Sequence, residues 1–473
     1  MSDSRILHRD AVRAARGRRQ LARAAAWLLL GVIAFPAAAT ARFAPLDTLL
    51  IRGVHVLPMT SDSVLRDRSV WIVGGKIDRI TPAAERAAIG GADVVDGNGR
   101  YLVPGLVDFH VHVRDETELP SYLRYGVTTV VNMRGFPEHL ALAESVEGGA
   151  TIGPSIVTAG PLIDGDPPIW SGPGTVIATT PEDARRAVAA QAAAGYDLVK
   201  TYNNLPPEVL RAAVEEARAH GLAVVGHIPR NPDRATALQK ALDAGLAMIP
   251  HAEEIFFTYL GGSGDAGMSG GPPQVDPARI RDAARLVAEA GAAVTPNLSF
   301  VAMTARMLED VEAVFAEPGF ERLAPDVRAM WREQNPTRRN DLERFAAREA
   351  VKRPAVAALT LELRRAGVTL LLGTDASAPG MYPGASAILE LEEIVRAGLT
   401  PYEALSAGTR AAGAFLARHV PGAPRIGTIE LGARADLVLV DGNPLEDVTR
   451  MGAPAGVVLR GRWLPRDELD AMR

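Results

Sequence analysis

His110 and His112 stand two apart near the end of an apolar run, Leu106-Val107-Asp108-Phe109-His110-Val111-His112-Val113. In a strand, a period of two turns both imidazoles to one face, so two nitrogens converge on one point. Imidazole is a common metal ligand, but a lone His-x-His pair is short enough to arise by chance. Four more residues of suitable chemistry end other apolar runs. Lys200 lies in Asp197-Leu198-Val199-Lys200-Thr201-Tyr202, His227 follows Val224-Val225-Gly226, His251 follows Met248-Ile249-Pro250, and Asp375 closes Leu370-Leu371-Leu372-Gly373-Thr374-Asp375. Taken singly, each reads as a satisfied core group or a helix cap. Six at the ends of five strands read as one site, because barrel enzymes assemble their sites at that edge. The chain has no cysteine. Disulfides and a lipidated cysteine are therefore excluded, and any metal must be held by nitrogen and oxygen. His8, His55, His139, His220 and His419 fall in the leader, a small β unit or helical stretches, and read as structural or solvent-facing.

The elements that must position these residues repeat. Apolar strand-like runs at 106–113, 127–133, 155–159, 198–202, 223–228, 247–251, 293–298 and 369–374 alternate with alanine-rich helical stretches, the pattern of parallel βα units. A helix is predicted over 181–193, capped by Thr180 with Pro181 in its first turn, and another over 207–220, ended by Gly221. Residues 302–354 are charged and helical in tone, an insertion between strands seven and eight placed where it would lid the site. Before the barrel, short strands and a Gly74-Gly75-Lys76 turn form a β unit. After it comes a helix pair over 400–418, and then strand chemistry returns from Gly427-Thr428-Ile429 through Asp436-Leu437-Val438-Leu439-Val440. The expected fold class is α/β. A (β/α)8 TIM barrel spans 105–419, beside a small discontinuous β-sandwich domain built from 44–104 and 420–473.

In this order the residues resemble the amidohydrolase superfamily, in particular its imidazolonepropionase-like and prolidase-like branch of Xaa-Pro dipeptidase relatives. The likeness covers roughly 49–464. It rests on Val103-Pro104-Gly105-Leu106-Val107-Asp108-Phe109-His110-Val111-His112, on Gly373-Thr374-Asp375, and on the closing Gly427-x-Ile429-x-x-Gly432-x-x-Ala435-Asp436-Leu437-Val438 with Asp441-x-Asn443-Pro444. The resemblance implies two divalent metal ions bridged by a lysine carboxylated by CO₂, here Lys200. His110, His112 and Asp375 would hold one ion with it, and His227 and His251 the other. The chemistry is coherent: burial beside two dications disfavours the ammonium form and frees the amine for CO₂. Two ions about 3.5–4 Å apart lower the pKa of a bridging water toward neutrality. Asp375 would then pass the proton of the attacking hydroxide to the departing amine. Zinc is the first choice for a nitrogen-rich site, with manganese, iron and cobalt compatible with the same ligands.

Loops after the strands should recognise the substrate, and Arg134, Trp170, Tyr202 and Arg230 are the candidates, Arg230 as a bidentate carboxylate clamp. The expected activity is hydrolysis of an amide or peptide-like C–N bond in a small carboxylate-bearing molecule. Two alternatives stay open: hydrolysis of a cyclic amide, imide or lactone, and a non-catalytic barrel scaffold. The 473 residues are 47% hydrophobic with a formal net charge of -5, an enzyme-sized chain with no basic surface to draw it onto nucleic acid. A homo-oligomer is compatible with this composition. Arg13, Arg16, Arg18, Arg19 and Arg23 precede an apolar run from Ala24 to Ala39 and the small residues Ala39-Thr40-Ala41. That is the layout of a signal peptide over 1–41, Arg18-Arg19 hinting at a twin-arginine form. The expected location is exported, periplasmic or extracellular, with no membrane association once the leader is removed.

Overall fold

The computed structural model describes residues 47–85, 91–230, 236–261 and 275–472; the expected signal peptide and His8 lie outside them. Five strands open the described part: β1 (Thr48–Val56), β2 (Leu65–Val73), β3 (Lys76–Pro82), β4 (Asp93–Asp96) and β5 (Tyr101–Pro104). Their alternation of Leu49, Ile51, Val70 and Ile72 buries one apolar face.

The barrel follows, with β6 (Leu106–Val111), β7 (Val127–Asn132), β8 (Ser155–Thr158), a short parallel pair β9 (Leu162–Asp164) and β10 (Thr175–Ile177), then β11 (Leu198–Thr201), β12 (Ala223–Gly226), β13 (Met248–Pro250) and β14 (Ala293–Thr295). Parallel pairing runs β6-β7-β8 and β11-β12-β13-β14. A bridge between Ala159 and Leu198 joins the two runs. The eighth strand closes the ring through single bridges, Val294 to Leu370 and Val111 to Ala376. It forms no regular ladder, but Phe109 N–H donates to the Leu372 carbonyl and Asp375 N–H to the His110 carbonyl, both at 2.7 Å, and the Asp108 carboxylate accepts the Thr374 N–H at 3.1 Å and the Thr374 hydroxyl at 2.6 Å. The predicted run at 369–374 is therefore in place, with side-chain bonds from Asp108 added to its backbone contacts.

Inside the barrel, Val107, Phe109, Leu198, Val225, Met248 and Leu371 form a packed layer, closed at the bottom by Phe415 and Leu416 of the helix Arg410–His419. Below the mouth the barrel is thus a core and not a pore. The predicted helices appear as Pro181–Ala194, with a Thr180 capping box, and Pro207–Ala219. The 302–354 insertion is helical, as Leu298–Phe315, Pro325–Gln334 and the start of Leu342–Arg365. The chain then returns to the N-terminal strands as β15 (Leu437–Val440), β16 (Pro454–Leu459) and β17 (Arg462–Pro465). The sheet order is β17-β16-β15-β5-β1-β2-β3, with β4 also on β1, so the strands before and after the barrel share one sheet and one apolar core. Gly427 to Ile429, expected as strand, are loop. Ile429 still contributes its buried side chain to that core and donates its N–H to the Pro58 carbonyl at 3.0 Å.

Candidate metal centre and substrate cavity

Val107 and Phe109 point into the barrel core, so strict alternation along β6 would turn His110 away from it. A register shift between Asp108 and Val111 re-phases the strand and brings His110 and His112 to the inner mouth. The strand ends opposite do something comparable. His251, Asn297 and Asp375, at the ends of strands six, seven and eight, all adopt left-handed backbone with φ of 61°, 52° and 67°. Such conformations cost energy for residues with a Cβ and concentrate at functional sites. Gly373 allows the close approach behind them. A Cβ there would lie 3.0 Å from the Cβ atoms of both His110 and Thr295.

His110, His112, Lys200, His227, His251 and Asp375 all line one cavity of about 730 Å³. The imidazoles form a continuous arc, with ring centroids 5.4 Å apart for His112 and His110, 4.4 Å for His110 and His251, and 5.1 Å for His251 and His227. Asp375 Oδ1 lies 3.0 Å from His112 Nε2 and 3.4 Å from His110 Nε2. The three donors sit within 4.8 Å of one another.

Lys200 is fully buried, and its Nζ has no hydrogen-bond partner among the protein atoms. Burial drives its pKa down to about 7 against the pull of the Asp375 and Glu254 carboxylates, so the neutral amine is accessible near neutrality. Burial likewise holds His110 well below the usual imidazole range and brings His227 to about 4. Neutral imidazole is the form that ligates metal. The Nδ1 atoms of His110 and His251 are also buried without partners. Buried polar atoms left unpaired are costly and rare, so this donor set fits divalent cations.

A second layer of side chains fixes the ligands. His227 Nδ1 donates to Asn203 Oδ1 at 2.9 Å and lies 3.3 Å from Glu254 Oε1, which leaves Nε2 as the lone pair. Asn203 Nδ2 donates to Glu254 Oε2 at 2.9 Å. Glu254 is buried, which opposes ionisation, but the Arg230 guanidinium and His227 outweigh burial and keep its pKa well below the ordinary carboxylate value. Asp108 accepts the His110 N–H at 3.3 Å, and Thr295 Oγ1 accepts the His251 N–H at 3.2 Å. Asp108, Asn203, Glu254 and Thr295 escaped the sequence reading. Apart from the His110 N–H beside Asp108, their partners are distant in the chain, although the Glu253-Glu254 pair close after His251 was a visible signal.

Of the four expected substrate residues, three face the cavity. Trp170 Nε1 donates to the Tyr202 hydroxyl at 2.9 Å, and the Tyr202 ring stacks on His227 at 4.1 Å. Arg134 donates to the Pro173 and Gly174 carbonyls at 3.0 and 3.4 Å, using two of its five N–H groups. Arg230 is the exception. Its guanidinium binds Glu254 and lies 4.9 Å from the Phe257 ring, away from the cavity wall, because a buried carboxylate nearby needs a cation. His139 is the converse case. Read from sequence as structural or solvent-facing, it is buried and lines the cavity, its Nδ1 accepting the Phe136 N–H at 3.0 Å. The insertion reaches the site as well. Met330 and Gln334 line the cavity, and Trp331 between them donates to the Ser377 carbonyl at 3.0 Å.

Residues 101–464 match the model of the amidohydrolase family. The chain belongs to that family. The superfamily recognised from the motifs is thereby borne out, and so is its barrel with an added β domain. Adenine deaminase 2 of Bradyrhizobium sp. (strain ORS 278) is 37% identical over 95 residues, which are 20% of this chain and 15% of that protein. The aligned stretch is thus a small part of that relative. Ochratoxinase of Aspergillus niger is 23% identical over 481 residues, covering 86% of this chain and 83% of its own. Among solved structures, an Xaa-Pro dipeptidase with methionine bound in its active site superposes with a TM-score of 0.66 at 20% identity, covering 88% of this chain and all of that one.

Proposed function

We propose that this amidohydrolase is a binuclear metal enzyme that hydrolyses an amide or peptide-like C–N bond in a small, carboxylate-bearing molecule. The observation that carries the reading is Lys200: a fully buried amine without a partner, at the mouth where four histidines and Asp375 converge. His110, His112 and Asp375 would hold one ion and His227 and His251 the other, with carboxylated Lys200 between them. Zinc suits the nitrogen-rich set. Bound there, the ions would supply a water activated near neutral pH and a Lewis acid for the carbonyl.

The chain's own residues do the rest. Asp375, 3.0 Å from His112, takes a proton from the water and delivers it to the departing nitrogen, so that water adds across the C–N bond. Tyr202, held by Trp170, presents its hydroxyl at the wall beside His227. Arg134 has N–H groups beyond those given to the loop and offers them to a substrate carboxylate. The leader over 1–41 belongs to the same proposal, as an export signal. A panel of N-acyl amino acids, Xaa-Pro dipeptides, hydantoins and lactones, run with and without a chelator, tests the reading. Chelator-sensitive cleavage of the acyclic amides is expected. Cleavage of the cyclic compounds or lactones alone, or activity indifferent to chelation, would contradict it.

A further inference from the structure

His227 and His251 are assigned to the same ion but are held in different ways. Asn203 fixes the His227 ring at Nδ1. The Nδ1 of His251 is buried with no hydrogen-bond partner among the described residues, so the aim of that ring rests on its backbone. That backbone is left-handed, with φ of 61°, and such a conformation persists only where the surroundings hold it.

Part of the hold is local. Thr295 Oγ1 accepts the His251 N–H, the Pro296 carbonyl accepts the Ala252 N–H at 3.3 Å, and the His251 carbonyl accepts the Glu254 N–H at 2.8 Å. The turn that follows, Glu253–Ile255, carries two neighbouring carboxylates, and each takes a cation from a different part of the chain. Glu254 takes Arg230, from the loop after β12. Glu253 takes Lys352, whose Nζ lies 2.6 Å from Glu253 Oε2 and 2.6 Å from Glu349 Oε2. Lys352 stands 99 positions away, in the helix Leu342–Arg365 of the insertion.

An exposed pair of this kind would contribute little. Here the Lys352 and Glu349 side chains are each 4% exposed and that of Glu253 17%. Burial opposes the ammonium charge, but the two carboxylates outweigh it and raise the pKa of Lys352 above its ordinary value. The Phe257 ring lies 5.5 Å from Lys352 Nζ and 4.9 Å from the Arg230 guanidinium, so one ring borders both cations. The turn after His251 is thus gripped by Arg230 from the barrel and by Lys352 from the insertion. Neither Lys352 nor Glu253 lines the cavity, so contact with a substrate does not account for the pair. Resting on the metal reading above, we propose that Lys352 is a positioning residue: through Glu253 it holds the turn that aims His251, and the insertion thereby sets how tightly the ion on His227 and His251 is bound.

The test compares wild type, Lys352→Arg, Lys352→Met and a triple variant that joins Lys352→Met to Glu253→Gln and Glu349→Gln. The triple variant removes the tether without stranding a buried charge. Zinc competition with a chromophoric chelator reads each ion, and hydrogen exchange of the metal-free proteins reads the backbone at 251–255. In Lys352→Met and in the triple variant, one ion should bind about tenfold more weakly or worse while the other is kept. Exchange at 251–255 should quicken severalfold with the strand Leu198–Thr201 unmoved, and Lys352→Arg should recover most of both. Wild-type affinity for both ions in the triple variant overturns the proposal, as does exchange that quickens throughout the barrel. If the wild type binds fewer than two ions, the metal reading fails. Faster exchange confined to 251–255 would then still place Lys352 as the residue that fixes the turn, and unchanged exchange would overturn that as well.

Discussion

Asn203 Oδ1 accepts a hydrogen bond from His227 Nδ1 at 2.9 Å, and that contact decides which nitrogen of His227 faces the other candidate ligands. The amide's other end holds Glu254 at 2.9 Å, so one side chain orients both the imidazole and the carboxylate behind it. Asn203→Ala should leave the fold intact and weaken zinc affinity by about 10–100-fold, the usual effect of removing a group that orients a metal ligand. Competition with a chromophoric chelator measures it. Unchanged affinity would remove His227 from the metal set.

Arg230 separates two accounts of the same arginine. If it neutralises Glu254, which is 2% exposed, Arg230→Ala strands a buried charge and costs about 3 kcal/mol of stability in a urea titration. Glu254→Gln in the same chain should restore much of that loss. A clamp on the substrate would behave otherwise, with KM rising and stability unmoved.

Lys200 gives the metal-free protein a distinctive pH dependence. The folded chain releases its proton at about 7, where the ordinary value is 10.5. Below about pH 7 both states hold the proton and folding bears the full cost of a buried ammonium. Between 7 and 10.5 only the unfolded chain holds it, so stability rises with pH across that window. The slope approaches about 1.4 kcal/mol per pH unit. In Lys200→Met that contribution should vanish, and urea midpoints at pH 7 and 9 show it. Parallel slopes for both proteins would contradict the assignment.

The proton route is tested at Asp375. Asp375→Asn preserves shape and an oxygen donor but cannot accept a proton. Metal content should be largely kept while turnover falls by about 100-fold or more. Undiminished turnover would place the shuttle elsewhere.

The barrel was legible because parallel βα units carry a repeating pattern of apolar runs and helix caps, and because six chemically apt residues each fell at the end of a run. Three things were not legible. The shift in β6 that turns His110 inward depends on pairing with β7, which no local pattern encodes. The eighth run reads as a strand and yet forms no regular ladder, and the Asp108 carboxylate that ties Thr374 to β6 lies 266 positions away. Arg230 looked like a clamp because it follows His227 closely. Only the fold brings Glu254 next to it, and a buried carboxylate claims the nearest cation. His139 shows the reverse, a helical histidine whose helix happens to start at the cavity wall.

The central claim is that Lys200 joins two metal ions as a carbamate. Native mass spectrometry of the purified protein, grown with zinc and bicarbonate, tests it most directly. The account predicts two divalent ions per chain and the added mass of one CO₂, with the CO₂ and at least one ion lost in Lys200→Ala. Two ions retained by Lys200→Ala, with no CO₂ on the wild-type chain, would contradict it.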